Sequence, residues 1–207
     1  MRVRIKFCGI TRPEDAAAAA AAGADAIGLV FYRDSPRYIS PQHAATVCAA
    51  LPPFVSRVGL FVDPDPEWVR EVLGSVPLDL LQFHGTEPVS LCTSFGRPYL
   101  KAVRVRETRD IVIADTEHQP ALALLLDTYV AGKQGGTGVP FSWALVPAGM
   151  AHPLILAGGL TPENVGAAIA AVRPFAVDVS GGIEKQPGIK DPGKMRRFAE
   201  AVLQAGI

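Results

Sequence analysis

Short apolar runs alternate with amphipathic or alanine-rich segments along the whole chain. Eight runs have the length of a β-strand, and most are continuously apolar, as expected for parallel strands covered on both faces. Apart from Lys101, we expect the strand interiors to carry almost no ionisable groups. The predicted strands are Val3–Phe7, Ala26–Phe31, Arg57–Val62, Leu78–Gln82, Tyr99–Val103, Leu122–Leu126, Leu154–Ala157 and Ala176–Val179.

Helix start signals follow most of these strands. Proline fits the first helical turn because its missing N–H costs nothing there, and Ser, Thr and Asp cap the free N–H groups. Six helices are predicted to begin at Pro13, Ser40-Pro41, Asp63-Pro64 to Pro66-Glu67, Thr86-Glu87-Pro88, Thr161-Pro162-Glu163 and Asp191-Pro192. The fifth and sixth helices of the chain are predicted over Thr108–Thr116 and Ser142–Ala148.

This alternation predicts the α/β class, with one (β/α)8 (TIM) barrel of parallel strands as a single domain over residues 1–207. Eight βα units fit a chain of 207 residues without a linker or a break in composition. The alternative is an open doubly wound sheet, which normally carries a G-x-G-x-x-G turn after its first strand. Cys8-Gly9-Ile10-Thr11 lacks that pattern, so the barrel is favoured.

Composition narrows the range of partners. The chain has 20 basic and 20 acidic residues, so its charge gives no indication of a nucleic-acid partner or of an acidic membrane surface. No apolar run reaches the roughly 18 residues needed to span a bilayer. The alternation of Arg2, Arg4 and Lys6 with apolar residues is expected for a strand and not for a signal peptide. Three cysteines are few and odd in number, which favours free thiols and a cytoplasmic location.

The residues that follow the strands carry the candidate chemistry, because a barrel of this type gathers its functional groups at the carboxyl ends of its strands. Cys8 is either a reactive thiol or a small buried apolar residue. Asp127 follows a very apolar strand, where desolvation favours the protonated acid, although a cap or a salt bridge is the alternative. Arg37 is placed to bind a carboxylate or phosphate, or is simply solvated.

Glycine pairs follow the seventh and eighth strands, at Gly158-Gly159 and Ser180-Gly181-Gly182. Loops at these two places form the recurring phosphate site of the barrel, where backbone N–H groups can approach the ligand closely. The Gly132–Gly138 segment is predicted to be a flexible cover over the site. No spacing of His, Cys, Asp or Glu predicts a metal site.

Taken together, the motifs resemble the phosphoribosylanthranilate isomerase family. Each motif is weak alone, but they extend in family order over nearly the whole chain. Two positions depart from the family pattern: Gly181 replaces a second serine, and Phe83 replaces a leucine. The matching stretches are Lys6–Thr11, Ser35–Arg37, Gln82–Gly85, Asp127, Gly135–Gly138, Phe141–Trp143, Leu156–Leu160, Asn164-Val165, Asp178–Glu184, Pro187-Gly188 and Lys190-Asp191.

The resemblance implies an Amadori rearrangement of N-(5′-phosphoribosyl)anthranilate in tryptophan biosynthesis. It implies that Cys8 is the general base, that Asp127 is the general acid and that Arg37 binds the anthranilate carboxylate. It places His84 among the substrate-binding residues and the substrate phosphate at Gly158, Gly159, Ser180, Gly181 and Gly182. It implies no cofactor and no metal, and the chain is expected to be a monomer or a homodimer.

Two other functions stay open at this point. The related sugar isomerase of histidine biosynthesis performs the same rearrangement in the same fold. That family carries a pair of aspartates that act together, and one of them stands at the position of Cys8. A barrel without activity could instead merely bind a phosphorylated ligand, and the presence of both Cys8 and Asp127 argues against it.

Overall fold

A closed barrel of eight parallel strands, in chain order, forms the centre of the protein in a computed structural model that describes residues 2–128 and 141–206. The (β/α)8 prediction is confirmed. The strands are β1 Arg4–Cys8, β2 Ala26–Val30, β3 Ser56–Phe61, β4 Leu80–Phe83, β5 Tyr99–Val105, β6 Ala123–Thr128, β7 Leu154–Leu156 and β8 Ala176–Val179. The Gly132–Gly138 segment lies outside the described residues.

Seven α-helices occupy the described part of the chain. They are α1 Pro13–Ala21, α2 Pro41–Ala49, α3 Pro66–Ser75, α4 Val89–Cys92, α5 Thr108–Glu117, α6 Val165–Val172 and α7 Pro192–Ala205. Four begin with the predicted proline, and Ser40, Asp65 and Asp191 cap their helices by accepting hydrogen bonds from backbone N–H groups. At these four helices the start signals act as expected, whereas α6 begins only at Val165, after the predicted Thr161-Pro162-Glu163.

The predicted sixth helix, Ser142–Ala148, is wrong. The structure has a single 3-10 turn there, Trp143–Leu145, after which Val146 is extended. Pro147 explains the end of the turn, because a proline disfavours helical backbone at the preceding residue and has no N–H of its own. The fourth helix is also much shorter than usual, since α4 has only four residues.

Alternate strand residues face either the helices or the inside of the barrel. The inner layer is filled by one compact cluster of small and branched side chains. Its members are Val58, Leu100, Ala102, Ala123, Leu125, Ile155, Ala157 and Ala176. The alternation places Lys6 and Cys8 on the inner face of β1, and Asp178 on the inner face of β8.

A short antiparallel hairpin follows β8 and precedes α7. Its strands are β9 Glu184–Gln186 and β10 Ile189–Lys190. The hairpin carries Glu184 and Lys190, both buried, to the end of the barrel where the parallel strands finish. No helix among residues 2–128 and 141–206 is long and apolar enough to cross a membrane.

Candidate active site

A cavity of about 320 Å³ opens at the carboxyl ends of the strands. All nine residues predicted for the site contribute to its wall, so the structure brings every one of them together. The predicted residues that line it are Cys8, Arg37, His84, Asp127, Gly158, Gly159, Ser180, Gly181 and Gly182.

Cys8, the last residue of β1, contributes a buried thiol to the cavity wall. Two residues earlier on the same strand, the Lys6 ammonium donates to Asp178 Oδ1 over 2.7 Å, and both the ammonium and the thiol lie beside Gly28. Burial raises the pKa of the Cys8 thiol, the positive charges of Lys6 and Lys190 oppose that rise, and the negative charge of Asp178 adds to it. The two lysines are therefore the groups that favour the thiolate at this buried position.

Arg37 is fixed in the cavity wall by a two-pronged ion pair with Glu184. Its Nε and one terminal nitrogen each donate to a different carboxylate oxygen over 2.8 Å. Lys190 donates to the same carboxylate over 2.8 Å. Burial alone would raise the pKa of Glu184, but the two cations outweigh it and hold that pKa below its usual value. Three guanidinium hydrogens of Arg37 remain for a ligand.

Asp127 occupies the inner face of β6 and belongs to a chain of side-chain hydrogen bonds. His84 Nε2 lies 3.1 Å from Asp127 Oδ2, and His84 Nδ1 lies 2.9 Å from the side-chain amide of Gln82. The backbone N–H of Thr128 donates to Asp127 Oδ1 over 2.8 Å. Both ring nitrogens of His84 are thus occupied by protein partners, and the ring orients the carboxyl group of Asp127.

The two glycine-containing loops after β7 and β8 touch each other at the backbone. A Cβ atom at position 182 would lie only 2.0 Å from the carbonyl oxygen of Leu160, so glycine is required for this approach. Gly158 has a left-handed φ of 82°, and a Cβ there would lie 2.3 Å from Thr128 Oγ1. Asn164 holds the first loop by donating to the Gly159 carbonyl over 2.9 Å. Close packing of this kind leaves a cradle of backbone for an anion.

The strand interiors hold more ionisable groups than we expected, and that expectation is wrong. Besides Lys101, both Lys6 and Asp178 are buried within strands and face the inside of the barrel. Lys6, Gln82 and Asp178 each precede a predicted site residue by two positions, namely Cys8, His84 and Ser180. Strand alternation puts residues two apart on one face, so this spacing was a usable signal for the second layer of the site.

Nothing in the described part of the chain is arranged as a metal site: no three His, Cys, Asp or Glu side chains converge there. The larger cavity of the molecule, about 980 Å³, opens at the opposite end of the barrel, around Phe175 and the residue pair Ala205-Gly206. None of the described residues that line it is a cysteine, an aspartate or a glutamate.

A family model described as N-(5′-phosphoribosyl)anthranilate (PRA) isomerase matches residues 5–201. The chain belongs to the phosphoribosylanthranilate isomerase family. It is 60% identical over 203 residues to an N-(5′-phosphoribosyl)anthranilate isomerase of Pseudomonas fluorescens, covering 98% of this chain and 97% of that relative. A relative of the same name from Pseudomonas paraeruginosa is 57% identical over 99% of this chain and 97% of its own length.

Solved structures of phosphoribosylanthranilate isomerases agree with this assignment. The crystal structure from Thermotoga maritima superimposes with a TM-score of 0.86 at 42% identity, over 97% of this chain and 98% of that one. The Thermus thermophilus structure also gives a TM-score of 0.86, at 36% identity, over 98% of this chain and 99% of that one. The resemblance found in the sequence motifs is therefore confirmed, and the chain is an isomerase of tryptophan biosynthesis.

Proposed function

We propose that the cavity at the carboxyl ends of the strands is where this isomerase rearranges N-(5′-phosphoribosyl)anthranilate, with Cys8 as the base and Asp127 as the acid. The product is 1-(2-carboxyphenylamino)-1-deoxyribulose 5-phosphate. The observation that carries the proposal is that a thiol and a carboxyl group with different electrostatic surroundings line one cavity together with two glycine loops.

Asp127 performs the first step. Its carboxyl group, oriented by His84, gives a proton to the ring oxygen of the ribose as the bond from that oxygen to C1′ breaks. The electron pair of the anilino nitrogen forms the C=N bond, which leaves an open-chain Schiff base cation. The substrate itself is the electron sink, so the protein only has to place a proton donor at the ring oxygen.

Cys8 performs the second step as a thiolate. The Schiff base cation acidifies the hydrogen on C2′, and the sulfur removes that hydrogen as a proton. The enolamine that forms then becomes the ketone by gaining a proton at C1′ and losing one from the C2′ hydroxyl group. Hydrogen is moved within the substrate, and no net oxidation or reduction occurs.

Two anchors hold the ends of the substrate in this proposal. The three unpaired guanidinium hydrogens of Arg37 bind the anthranilate carboxylate, and Ser180, Gly181, Gly182, Gly158 and Gly159 surround the phosphate. One phosphoribosylanthranilate isomerase, 42% identical to this chain, has been solved in complex with reduced 1-(o-carboxyphenylamino)-1-deoxyribulose 5-phosphate. That complex supports a phosphorylated small molecule as the ligand of this chain. His84 stays a proposed substrate contact in addition to its bond with Asp127.

Fluorescence turnover of freshly made N-(5′-phosphoribosyl)anthranilate tests the proposal. We expect the wild-type protein to consume the substrate, and Cys8→Ser and Asp127→Asn each to lower kcat by a factor on the order of 10² to 10⁴, the usual contribution of general acid–base catalysis. Near-wild-type turnover in both variants would refute the assignment of roles. Folding of each variant is checked by circular dichroism.

We further propose one cytoplasmic domain over residues 1–207 that associates as a homodimer through the amino-terminal end of its barrel. A related Thermotoga maritima isomerase is dimeric. At that end of this chain, the loop before β3 carries Phe54, which is fully exposed, and the larger cavity includes Phe175, which is 41% exposed. Exposed aromatic side chains of this size are typical of an interface between subunits.

Light scattering after size-exclusion chromatography tests the dimer. We expect the wild type to have twice the mass of one chain and Phe54→Asp to have the mass of one chain. Val112→Asp is the matched control, because Val112 is also an exposed apolar residue but lies on α5, away from that end. A monomeric wild type, or equal dissociation in both variants, would contradict this part of the proposal.

A further inference from the structure

The Lys6 side chain lies directly beneath the Cys8 thiol inside the barrel. Both residues are on the inner face of β1, and only 4% of Lys6 is exposed. The Lys6 ammonium donates to Asp178 Oδ1 over 2.7 Å, and it lies on the same side of Gly28 as the Cys8 sulfur. A buried ammonium needs partners for its charge, and the thiol that lines the cavity is its neighbour.

Gly28 makes the contact between ammonium and thiol possible. It lies opposite Cys8 in the register of β1 and β2. A Cβ atom at position 28 would lie 2.6 Å from Cys8 Sγ and 3.1 Å from Lys6 Nζ. Any larger residue would therefore occupy the space between these two groups. Glycine at position 28 leaves that space free for the ammonium and the thiol.

Among residues 2–128 and 141–206, the charged groups that face the thiol belong to one buried cluster. β1 contributes Lys6, β8 contributes Asp178, the loop after β2 contributes Arg37, and the hairpin contributes Glu184 and Lys190. Three cations share two carboxylates, which leaves one positive charge in excess. A thiolate at Cys8 would neutralise that charge, whereas a neutral thiol would not.

We propose that Lys6, held in place by Asp178, is the positioning residue that stabilises Cys8 as a thiolate. The Lys6 ammonium donates to the sulfur once the thiol has lost its proton, and Asp178 fixes the ammonium without itself contacting the sulfur. This inference rests on the proposed role of Cys8 as the base. It assigns a function to a buried ion pair that the rearrangement itself does not use.

The electrostatics of the cluster give the two partners opposite effects on the thiol. Burial raises the pKa of Cys8, the positive charge of Lys6 lowers it, and the negative charge of Asp178 raises it. The two neighbours of the thiol should therefore shift its ionisation in opposite directions when each is neutralised. A purely structural role for the ion pair predicts no such difference in sign.

The rate of Cys8 alkylation by iodoacetamide measures this effect without turnover. The rate is followed at one pH below the thiol pKa by mass spectrometry of the Cys8 peptide, in the full chain without substrate. An opposite charge at this distance shifts a pKa by about 1 to 3 units. Lys6→Met should lower the fraction of Cys8 that is thiolate, but a more basic thiolate is also more nucleophilic, which offsets part of that loss. We therefore expect Lys6→Met to slow alkylation about 3- to 40-fold. Asp178→Asn should accelerate it at least about threefold.

Lys101→Met is the matched control. Lys101 is also a buried lysine in an ion pair, with Glu87 over 2.6 Å, but it faces the outside of the barrel. We expect the Cys8 alkylation rate of this variant to stay within about twofold of the wild type. Equal slowing by Lys6→Met and Lys101→Met would overturn the proposal, because it would report general loosening of the barrel.

The outcome is decided even if one variant fails to fold. Lys6→Met/Asp178→Asn leaves no unpaired charge in the barrel and should still slow alkylation, since Lys6 is the closer charge to the sulfur. Unchanged rates in the folded variants, or shifts of the same sign in Lys6→Met and Asp178→Asn, overturn the proposal. Failure of the proposed function would appear separately, as turnover retained by Cys8→Ser.

Discussion

The two groups proposed to react, Cys8 and Asp127, are buried to a similar degree but have different neighbours. Cys8 is 5% exposed and Asp127 is 7% exposed. The base side of the cavity, around Cys8, consists of ionised side chains that carry one excess positive charge. On the acid side, around Asp127, the partners are an imidazole, an amide and a backbone N–H, and no lysine or arginine among residues 2–128 and 141–206 is paired with Asp127.

Depth therefore does not distinguish the proposed acid from the proposed base. Their neighbours do, because the cations beside Cys8 favour a thiolate, whereas no lysine or arginine in the described part of the chain is paired with Asp127. In the proposed mechanism, the ion pairs behind the strand ends therefore belong to the base side of the cavity.

The largest change in KM is expected on the base side of the cavity, at Arg37. Arg37→Ala should raise the KM for the substrate about 10- to 100-fold, because a hydrogen-bonded pair with a charged group contributes about 1.5 to 3 kcal/mol. Inhibition by inorganic phosphate should persist, since the loops after β7 and β8 remain. Steady-state kinetics with phosphate as inhibitor measures both quantities.

Arg57→Ala is the control for the loss of an arginine. Arg57 makes the same two-pronged contact with a carboxylate, that of Asp79, but lies at the start of β3. Its KM should stay near the wild-type value. If Arg37→Ala weakens substrate and phosphate equally, Arg37 serves the phosphate or the fold and not the anthranilate carboxylate.

A smaller effect is expected on the acid side. His84→Asn should lower kcat about tenfold with little change in KM, because Asp127 loses a hydrogen bond that orients it, worth roughly 1 to 1.5 kcal/mol. His118→Asn is the control, since His118 is buried against Tyr99 behind the barrel wall. A rise in KM without a fall in kcat would instead make His84 mainly a substrate-binding residue.

The thiols outside the cavity show what burial does without the cationic cluster. Burial raises the pKa of Cys48 and of Cys92 from 9.0 to about 11. Since the unfolded chain releases these protons at lower pH, their stabilising contribution is complete below pH 9 and is lost as the pH rises towards 11. Urea denaturation should show up to about 1.4 kcal/mol lost per thiol and pH unit, and Cys48→Ala/Cys92→Ala should flatten that dependence.

The smallest effect is expected at Gly181, where the family usually has serine. A Cβ atom there would lie 3.4 Å from an Arg37 nitrogen and 4.0 Å from a Glu184 oxygen, so a serine fits. Gly181→Ser should change the KM within about threefold and leave kcat unaltered, since the backbone N–H groups of the two loops remain available at the proposed phosphate site. Gly182→Ala should be far more damaging, because its methyl group would meet the Leu160 carbonyl. Equal effects of both would contradict this account of the loops.

Much of this site could be predicted from the sequence because the barrel imposes simple rules. The apolar runs predicted the strands, and the carboxyl ends of the strands predicted the location of the site. All nine predicted site residues line one cavity. Lys6 and Asp178 were missed because a single charge inside an apolar strand hardly changes the pattern. The pairing of Arg37 with Glu184 could not be foreseen, because it depends on where a loop and a hairpin meet in space. The prediction of a sixth helix over Ser142–Ala148 was wrong because Pro147 ends the turn after Leu145.

The contacts on the two sides of the cavity differ in how much of the chain must exist before they can form. His84 and Asp127 are 43 residues apart, whereas Lys6 and Asp178 are 172 apart and Arg37 and Glu184 are 147 apart. During synthesis from the amino terminus, the acid and its histidine can meet while the chain is still growing. The cationic cluster around Cys8 waits for the last strand and the hairpin. A ribosome-bound fragment therefore lacks the complete cluster that is proposed to stabilise its thiolate until the barrel is nearly finished.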